Sequence, residues 1–115
     1  MKKEQMIALA QGQLDAYNNR DLGKFLSHYH PQIEVFRLNT GDCICNDFET
    51  FTKIYKDRFE QNPELKCELR SRIVLENTVM DEEWVTGVTG ATAPSHVVAV
   101  YAFADGLISK VWFVR

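Results

Sequence analysis

The hydrophobic period of this chain changes once, near residue 66. Before that point apolar residues recur every three or four positions, which is typical of amphipathic helices. After it, apolar runs with a period of two are separated by turn signals, which predicts an antiparallel meander of strands. The four predicted strands cover residues 66–75, 78–87, 96–104 and 107–115. We therefore expect an α+β fold of three N-terminal helices packed on a strongly bent, mostly antiparallel sheet.

The first two helices are predicted from residues 4–31. The first covers 4–18, and its apolar stripe is formed by Ile7, Ala10, Leu14 and Tyr17. Asp21 is a favourable N-terminal cap for a short second helix, which continues through Tyr29 until Pro31 stops it.

The third helix is predicted after one strand and a turn. The strand covers 33–38, and a short extended piece follows at 43–45. Asn46 and Glu49 have the spacing of a capping box, so the helix is expected to begin there and to end at Asn62-Pro63.

The Asp105-Gly106 dipeptide predicts a tight hairpin, because a two-residue type I′ turn needs positive φ at both positions. With these two residues as the loop, both faces of the hairpin are mostly apolar, so both must be covered. The face expected to point outward carries Val97, Ala99, Tyr101, Trp112 and Val114. A cluster of this size predicts a homodimer through the outer face of the sheet.

The hairpin over 66–87 is expected to have one wet face. With Glu76-Asn77 as its loop, Arg72 lies opposite Asp81 and Arg70 lies opposite Glu83 on that solvated face. The other face then holds Leu69, Ser71, Ile73, Met80, Glu82 and Trp84. Glu82 is therefore expected to be a desolvated carboxylate among apolar neighbours.

Size and charge restrict the class of protein. The 115 residues fit one domain over 1–115, and 45% hydrophobic residues are enough for one core. The net charge of −3 argues against a nucleic-acid surface. The N-terminal segment has no continuous apolar stretch, so neither a signal peptide nor a membrane span is expected, and the protein is expected to be cytoplasmic.

Three cysteines are an odd set for a disulfide framework, so Cys43, Cys45 and Cys67 are expected to be reduced thiols. Cys43-x-Cys45 and His28-x-His30 lack the two-residue gap of a zinc knuckle. No metal and no cofactor are therefore expected.

Several short segments resemble one superfamily across essentially the whole chain. They are Ala16-Tyr17-Asn18, Arg20-Asp21-Leu22, Tyr29-His30-Pro31 before Val35-Phe36, Ala104-Asp105-Gly106-Leu107-Ile108, and Val111-Trp112-Phe113. The chain resembles the nuclear transport factor two-like superfamily, specifically the SnoaL-like and ketosteroid isomerase-like proteins. The resemblance implies a cone-shaped, cystatin-like fold, a hydrophobic pocket between the first helix and the concave sheet, and homodimerisation through the sheet's outer face.

The isomerase's catalytic residues do not carry over. By the resemblance, its general base falls at Arg37, its oxyanion-hole tyrosine at Gln13 and its oxyanion-hole acid at His96. Only the supporting tyrosine, Tyr29, matches. An arginine cannot abstract a proton near neutral pH, since its pKa exceeds about 12. The ketosteroid isomerase constellation is therefore absent.

The candidate site combines acid/base residues with ligand contacts. Glu82 and His96 are the candidate catalytic residues, as proton donor or acceptor. The candidate ligand-binding residues are Tyr17, Tyr29, Arg37, Trp84, Phe113 and Arg115. Arginines favour an anionic ligand, but Arg37 or Arg115 could instead neutralise Glu82 in an internal ion pair. His96 could equally be a partly solvated residue at a strand end, and the aromatic residues could be core.

Two functions follow from this pattern. The first is small-molecule binding with isomerase-, cyclase- or hydratase-type proton transfer on an anionic or carbonyl compound, without a metal. The alternative is a non-catalytic ligand-binding or protein-interaction module of the same fold.

Overall fold

A computed structural model describes residues 1–115 as three helices and six strands. The helices are α1 (Lys3–Asn18), α2 (Leu22–Leu26) and α3 (Phe48–Gln61). The strands are β1 (Tyr29–Arg37), β2 (Cys43–Cys45), β3 (Lys66–Leu75), β4 (Thr78–Thr86), β5 (Ser95–Ala104) and β6 (Leu107–Val114). The predicted α+β class and the predicted order of elements are confirmed.

The six strands form one curled, unclosed sheet in the order β2-β1-β6-β5-β4-β3. Every neighbouring pair is antiparallel except β1 and β6, which run parallel. The helices pack against the inner face of the curl: α1 contacts β3, β4 and β6, and α3 contacts β1. None of the three helices combines the length and the hydrophobicity of a membrane-spanning helix.

Helix boundaries follow the expected capping chemistry, with two corrections. The Asp21 side chain caps α2 by accepting a hydrogen bond from the Lys24 N–H at 3.2 Å. The helix then ends at Leu26, and both Tyr29 and Pro31 belong to β1. In α3 the N-cap is Asp47 rather than Asn46, because its carboxylate accepts hydrogen bonds from both the N–H and the hydroxyl of Thr50.

Both predicted hairpin turns are present. Asp105 and Gly106 have φ values of 54° and 78°, and Glu76 has a φ of 54°. Asp105 and Gly106 therefore meet the type I′ requirement of positive φ at both central residues, whereas in the other turn only Glu76, and not Asn77, has positive φ. In both hairpins the strand ends on either side of the turn pair as predicted, Ala104 with Leu107 and Leu75 with Thr78.

The predicted register of the β5–β6 hairpin is wrong beyond its first two pairs. A bulge follows the Phe103–Ile108 pair, and from there Tyr101 pairs with Val111 and Ala99 with Phe113. One extra residue on a strand shifts all later pairs by one position. Residues of the two strands that were predicted to share a face of the sheet then lie on opposite faces. Val97, Ala99 and Tyr101 are consequently buried in the core rather than on the outer face.

The outer face of this hairpin is still apolar. It carries Val98 and Val100 of β5 with their partners Val114 and Trp112 of β6, and all four are partly exposed. Trp112 also stacks on Phe36, with ring centroids 5.9 Å apart. We call these five residues the outer apolar face.

The predicted wet face of the β3–β4 hairpin is in fact its inner face. Asp81 and Glu83 of β4 are 0% and 5% exposed. Arg72 lies opposite Asp81 as predicted, but a bulge between Leu69 and Ser71 places Leu69, not Arg70, opposite Glu83. The helices cover this face, so its carboxylates are withdrawn from water.

The core fills the space between the helices and the curled sheet. Phe25 of α2 lies at its centre, 1% exposed, with its ring 4.6 to 6.1 Å from five other aromatic rings. Those rings belong to Tyr17, Tyr29, Phe51, Tyr55 and Phe59. This aromatic cluster forms one wall of a cavity.

Candidate functional site

A cavity of about 120 Å³ lies between the helices and the inner face of the sheet. Eleven of its fifteen lining residues are hydrophobic. Small-molecule sites are typically apolar cavities with a few convergent polar groups. The four remaining residues are Gln13, Arg58, Glu83 and Arg115, and the hydrophobic residues add the hydroxyls of Tyr17, Tyr29, Tyr55 and Tyr101 and the thiol of Cys67.

Glu83 is the only carboxylate that lines the cavity. Its place is set by β4, where Val79, Asp81, Glu83 and Val85 alternate toward the interior. Burial is the main cause that raises the pKa of Glu83, to about 7, and the charge of Asp81 raises it further. The Cys67 thiol, Arg72 and Arg115 lower it by smaller amounts. Near neutral pH this carboxyl can therefore either accept or donate a proton.

Glu83 lacks an ion-pair partner. No lysine, arginine or histidine nitrogen lies within 4.0 Å of its carboxylate. A buried charge is normally paired, because desolvation without compensation is costly. An unpaired carboxyl facing a cavity is a common arrangement of functional acids and bases.

A chain of hydrogen bonds crosses the cavity wall. The Tyr29 hydroxyl donates to Gln13 Oε1 at 2.8 Å, and Gln13 Nε2 donates to the Tyr101 hydroxyl at 3.1 Å. Burial raises the pKa of both tyrosines well above the ordinary value, so both stay protonated. The Tyr101 hydroxyl donates to no protein group, and its proton is available to a ligand oxygen.

A second pair of polar groups lines the same cavity. Arg58 Nε donates to the Tyr17 hydroxyl at 2.8 Å, and the guanidinium lies 6.0 Å from the centre of the Tyr17 ring. Tyr55 adds another cavity-lining hydroxyl, and burial raises its pKa. The polar contacts available to a ligand are thus hydroxyl donors and cations around one carboxyl group.

A second, larger cavity of about 380 Å³ adjoins the first. It shares Phe113 and Arg115 with the first cavity, and its other lining residues are Arg37, Asn39, Thr40 and Ile44. Of the predicted ligand-binding residues, Tyr17, Tyr29, Phe113 and Arg115 therefore line the first cavity, whereas Arg37 lies only at the second.

The structure does not place Glu82, His96 or Trp84 at either cavity. They lie on the outer face of the sheet, because residues along β4 alternate and Glu83 takes the inner position. Glu82 is 41% exposed and accepts hydrogen bonds from Ser71 at 2.9 Å and from His96 at 2.7 Å. These contacts lower the pKa of Glu82, contrary to the expected desolvation.

His96 and Trp84 form a stack on this outer face, with ring centroids 4.6 Å apart. The Arg70 guanidinium lies over Trp84, 5.3 Å from the centre of its ring.

The alternative in which Arg37 or Arg115 pairs with Glu82 is also wrong, since neither arginine has a carboxylate within 4.0 Å.

Sequence reasoning missed Glu83, Tyr101, Tyr55 and Arg58 as cavity residues. The available signal for Glu83 was the pair of β-branched residues, Val79 and Val85, on its own face of β4. The prediction instead placed the other face toward the core, because it carries the larger apolar residues Met80 and Trp84. Gln13 was noted only as the residue at a tyrosine position, although its amide connects two hydroxyls.

No group of three or more His, Cys, Asp or Glu side chains that could hold a metal ion is present. Cys43 is exposed, Cys45 and Cys67 are buried, and none is paired in a disulfide. Cys67 lines the cavity beside Glu83, and burial raises the pKa of its thiol.

Solved structures share this fold. An uncharacterised cystatin-fold protein from Novosphingobium aromaticivorans is 24% identical, with a TM-score of 0.84 over 95% of this chain and 97% of that one. AclR of Streptomyces galilaeus, named "a putative hydroxylase", is 22% identical, with a TM-score of 0.80 over 98% and 79% of the two chains. A "putative polyketide cyclase" from Sinorhizobium meliloti is 13% identical, with a TM-score of 0.79 over 96% and 98%.

Among curated proteins, no sequence matches this chain. A family model does, and it extends over nearly the whole fold, from α1 to β6. The model describes a SnoaL-like domain and matches residues 10–111. The match confirms the resemblance inferred from the sequence: this chain belongs to the SnoaL-like domain family.

Proposed function

We propose that the chain binds a small carbonyl compound in the inner cavity and transfers a proton through Glu83. The observation that carries this proposal is the unpaired, buried carboxyl of Glu83, with its pKa raised to about 7, in a mostly apolar cavity. The chemistry would be of the isomerase, cyclase or hydratase type, since each of these reactions moves a proton next to a carbonyl group.

The proposed step uses two groups of the cavity. The Glu83 carboxylate takes a proton from the carbon next to the carbonyl, and the C–H electron pair moves to form an enolate. The Tyr101 hydroxyl donates a hydrogen bond to the enolate oxygen, supported by the chain through Gln13 to Tyr29. Glu83 then returns the proton to the same carbon or to a neighbouring one.

The names of structural relatives are compatible with this chemistry. The Sinorhizobium meliloti protein is named a "putative polyketide cyclase", and a Kribbella flavida protein of the same fold is named a "putative ketosteroid isomerase". Both names describe reactions at carbonyl compounds. At identities of 13% and 16%, these likenesses show a shared fold alone, so the proposal rests on Glu83 and not on these names.

The proposal is tested with two small ketones. Phenylacetone is incubated with the protein in heavy water and its α-hydrogen exchange is followed by NMR, while conversion of 3-cyclohexenone to 2-cyclohexenone is followed by ultraviolet absorbance. We expect protein-dependent acceleration of at least one reaction. If both ketones bind, as shown by a ligand-induced rise in melting temperature, but neither reacts faster than in buffer, the domain is the non-catalytic binding module instead.

We also propose that two copies of the chain associate through the outer apolar face. Two of its residues, Val100 and Trp112, pair across β5 and β6 and are partly exposed. Trp112→Glu places a charge at the centre of this face and is expected to convert a dimer, with twice the 13.3 kDa mass of one chain, into a monomer. Sedimentation equilibrium measures both masses.

The control is Leu38→Glu, which introduces the same charge at a residue that is 50% exposed in the turn after β1. This variant should remain dimeric. A wild-type protein that sediments as a monomer at micromolar concentration would disprove the proposed association.

A further inference from the structure

Three arginines surround the two cavities without an acidic partner. Arg58 lines the inner cavity, Arg37 lines the second cavity, and Arg115 lines both. No carboxylate oxygen lies within 4.0 Å of any of them, whereas Arg70 and Arg72 each have one. In a chain with a net charge of −3, unpaired cations at one place point to an anionic group that comes from outside the chain.

The sheet places two of these arginines at the same opening. The parallel pairing of β1 with β6 sets Arg37 beside Phe113, and Arg115 follows two residues later, directly after the end of β6. The Arg115 guanidinium lies 5.9 Å from the centre of the Phe113 ring. Phe113 and Arg115 also line the inner cavity, so one ligand could occupy both spaces.

The volume of the inner cavity limits what it can hold. Its 120 Å³ is slightly smaller than the roughly 150 Å³ of an engineered apolar cavity that accepts one benzene molecule. A single ring or a short branched chain fits such a space, and a fused polycyclic compound does not. The second cavity is larger, about 380 Å³, and more polar in its lining.

We propose that the ligand has two parts: a single ring or short chain in the inner cavity, and an anionic group in the second cavity between Arg37 and Arg115. The anionic group is a carboxylate or a phosphate, because the guanidinium fork matches both. This inference deepens the proposed function and rests on it only for the carbonyl chemistry of the first part. It names the substrate class as small, monocyclic or short-chain acids rather than neutral polyketides.

The test uses ligands that differ only in charge. Binding of 3-phenylpropanoate and 5-phenylpentanoate is measured by calorimetry beside the matched primary amides, and 2-phenylethylphosphonate represents the phosphate-like group. We expect at least one anion to bind tenfold or more tightly than its amide, with an advantage that falls as salt concentration rises. The preference between carboxylate and phosphonate then identifies the anionic group.

Arg37→Gln and Arg115→Gln should each remove most of the advantage of the anion while leaving amide binding unchanged. The matched control is Arg70→Gln, which removes the same charge from the outer face of the sheet and should leave that advantage intact. Arg37 and Arg115 are both exposed, so the melting temperatures of the two variants should stay near that of the wild type.

Equal affinity for anion and amide, or an equal loss of the anion's advantage in Arg70→Gln, would overturn this inference. The outcome is separable from the proton-transfer proposal. Anion preference that depends on Arg37 and Arg115, in a protein that catalyses no exchange, would support the ligand class and refute the chemistry. Catalysed exchange without anion preference would support the chemistry and refute the ligand class.

Discussion

Glu83→Gln is expected to lower the rate of catalysed α-hydrogen exchange by about 10²- to 10⁴-fold, the usual contribution of a general base. Glutamine has nearly the same shape as glutamate but cannot accept the substrate proton. The cavity should therefore keep its ligand, and calorimetry with a phenyl-substituted amide should give an affinity close to that of the wild type. The measured quantity is the initial rate of deuterium incorporation into phenylacetone.

The control for this variant is Glu82→Gln, which changes the neighbouring carboxylate on the opposite face of the sheet and should retain nearly the full rate. The wild-type rate should rise with pH as Glu83 loses its proton, with a midpoint near its pKa of about 7. A Glu83→Gln variant within threefold of the wild type, or a rate lost in Glu82→Gln instead, would show that the base is elsewhere.

Arg72→Met is expected to destabilise the protein by about 3 to 5 kcal/mol, because it leaves a buried carboxylate without its partner. Arg72 Nε and Nη2 hold the two oxygens of Asp81 at 2.7 and 2.9 Å, and Asp81 is 0% exposed. Arg72 Nη1 also donates to Gln11 at 3.1 Å and so ties β3 to α1. Urea unfolding measures the change in the free energy of unfolding.

Two further variants test the cause of this loss. Arg70→Met removes an exposed arginine whose contact with Glu68 is 3.6 Å long, and it should change stability by less than about 1 kcal/mol. Adding Asp81→Asn to Arg72→Met removes the uncompensated charge and should recover part of the stability. A loss in Arg72→Met no larger than that in Arg70→Met would contradict a buried ion pair.

Local chemistry made the elements of this fold predictable. The Asp105-Gly106 turn could be predicted because few residue pairs accept positive φ at both positions. Asp21 could be predicted as a helix N-cap because its side chain accepts a hydrogen bond from a backbone N–H of the first turn. The predicted bounds of the four C-terminal strands agree with the structure to within one residue at each end.

The faces of the strands were not predictable in the same way. A bulge in β6 near Ser109 and another in β3 near Arg70 each insert one residue, and neither position carries a residue type that marks a bulge. The insertion in β6 exchanges the faces of β5, so His96 was expected in the pocket and Tyr101 outside it. The structure has them the other way round.

The candidate site depended on those faces and was therefore only partly predictable. Tyr17, Tyr29, Phe113 and Arg115 were found, and none of them lies on β3, β4 or β5, where the predicted faces were wrong. Glu83 was not, since β4 has apolar residues on both sides and only the helices decide which side is covered. Three-dimensional packing, and not local pattern, decides which carboxylate lines the cavity.

The pKa of Glu83 is the most direct test of this account. Protein labelled with ¹³C in the glutamate side chains is titrated by NMR from pH 3 to 10, and the Glu83 carboxyl signal is assigned by its absence from Glu83→Gln. Burial in the cavity predicts a midpoint of about 7 for this carbon. A midpoint at the ordinary glutamate value of about 4.3 would mean that the carboxyl is solvated, and it would contradict the proposed role of Glu83 as the proton-transferring group.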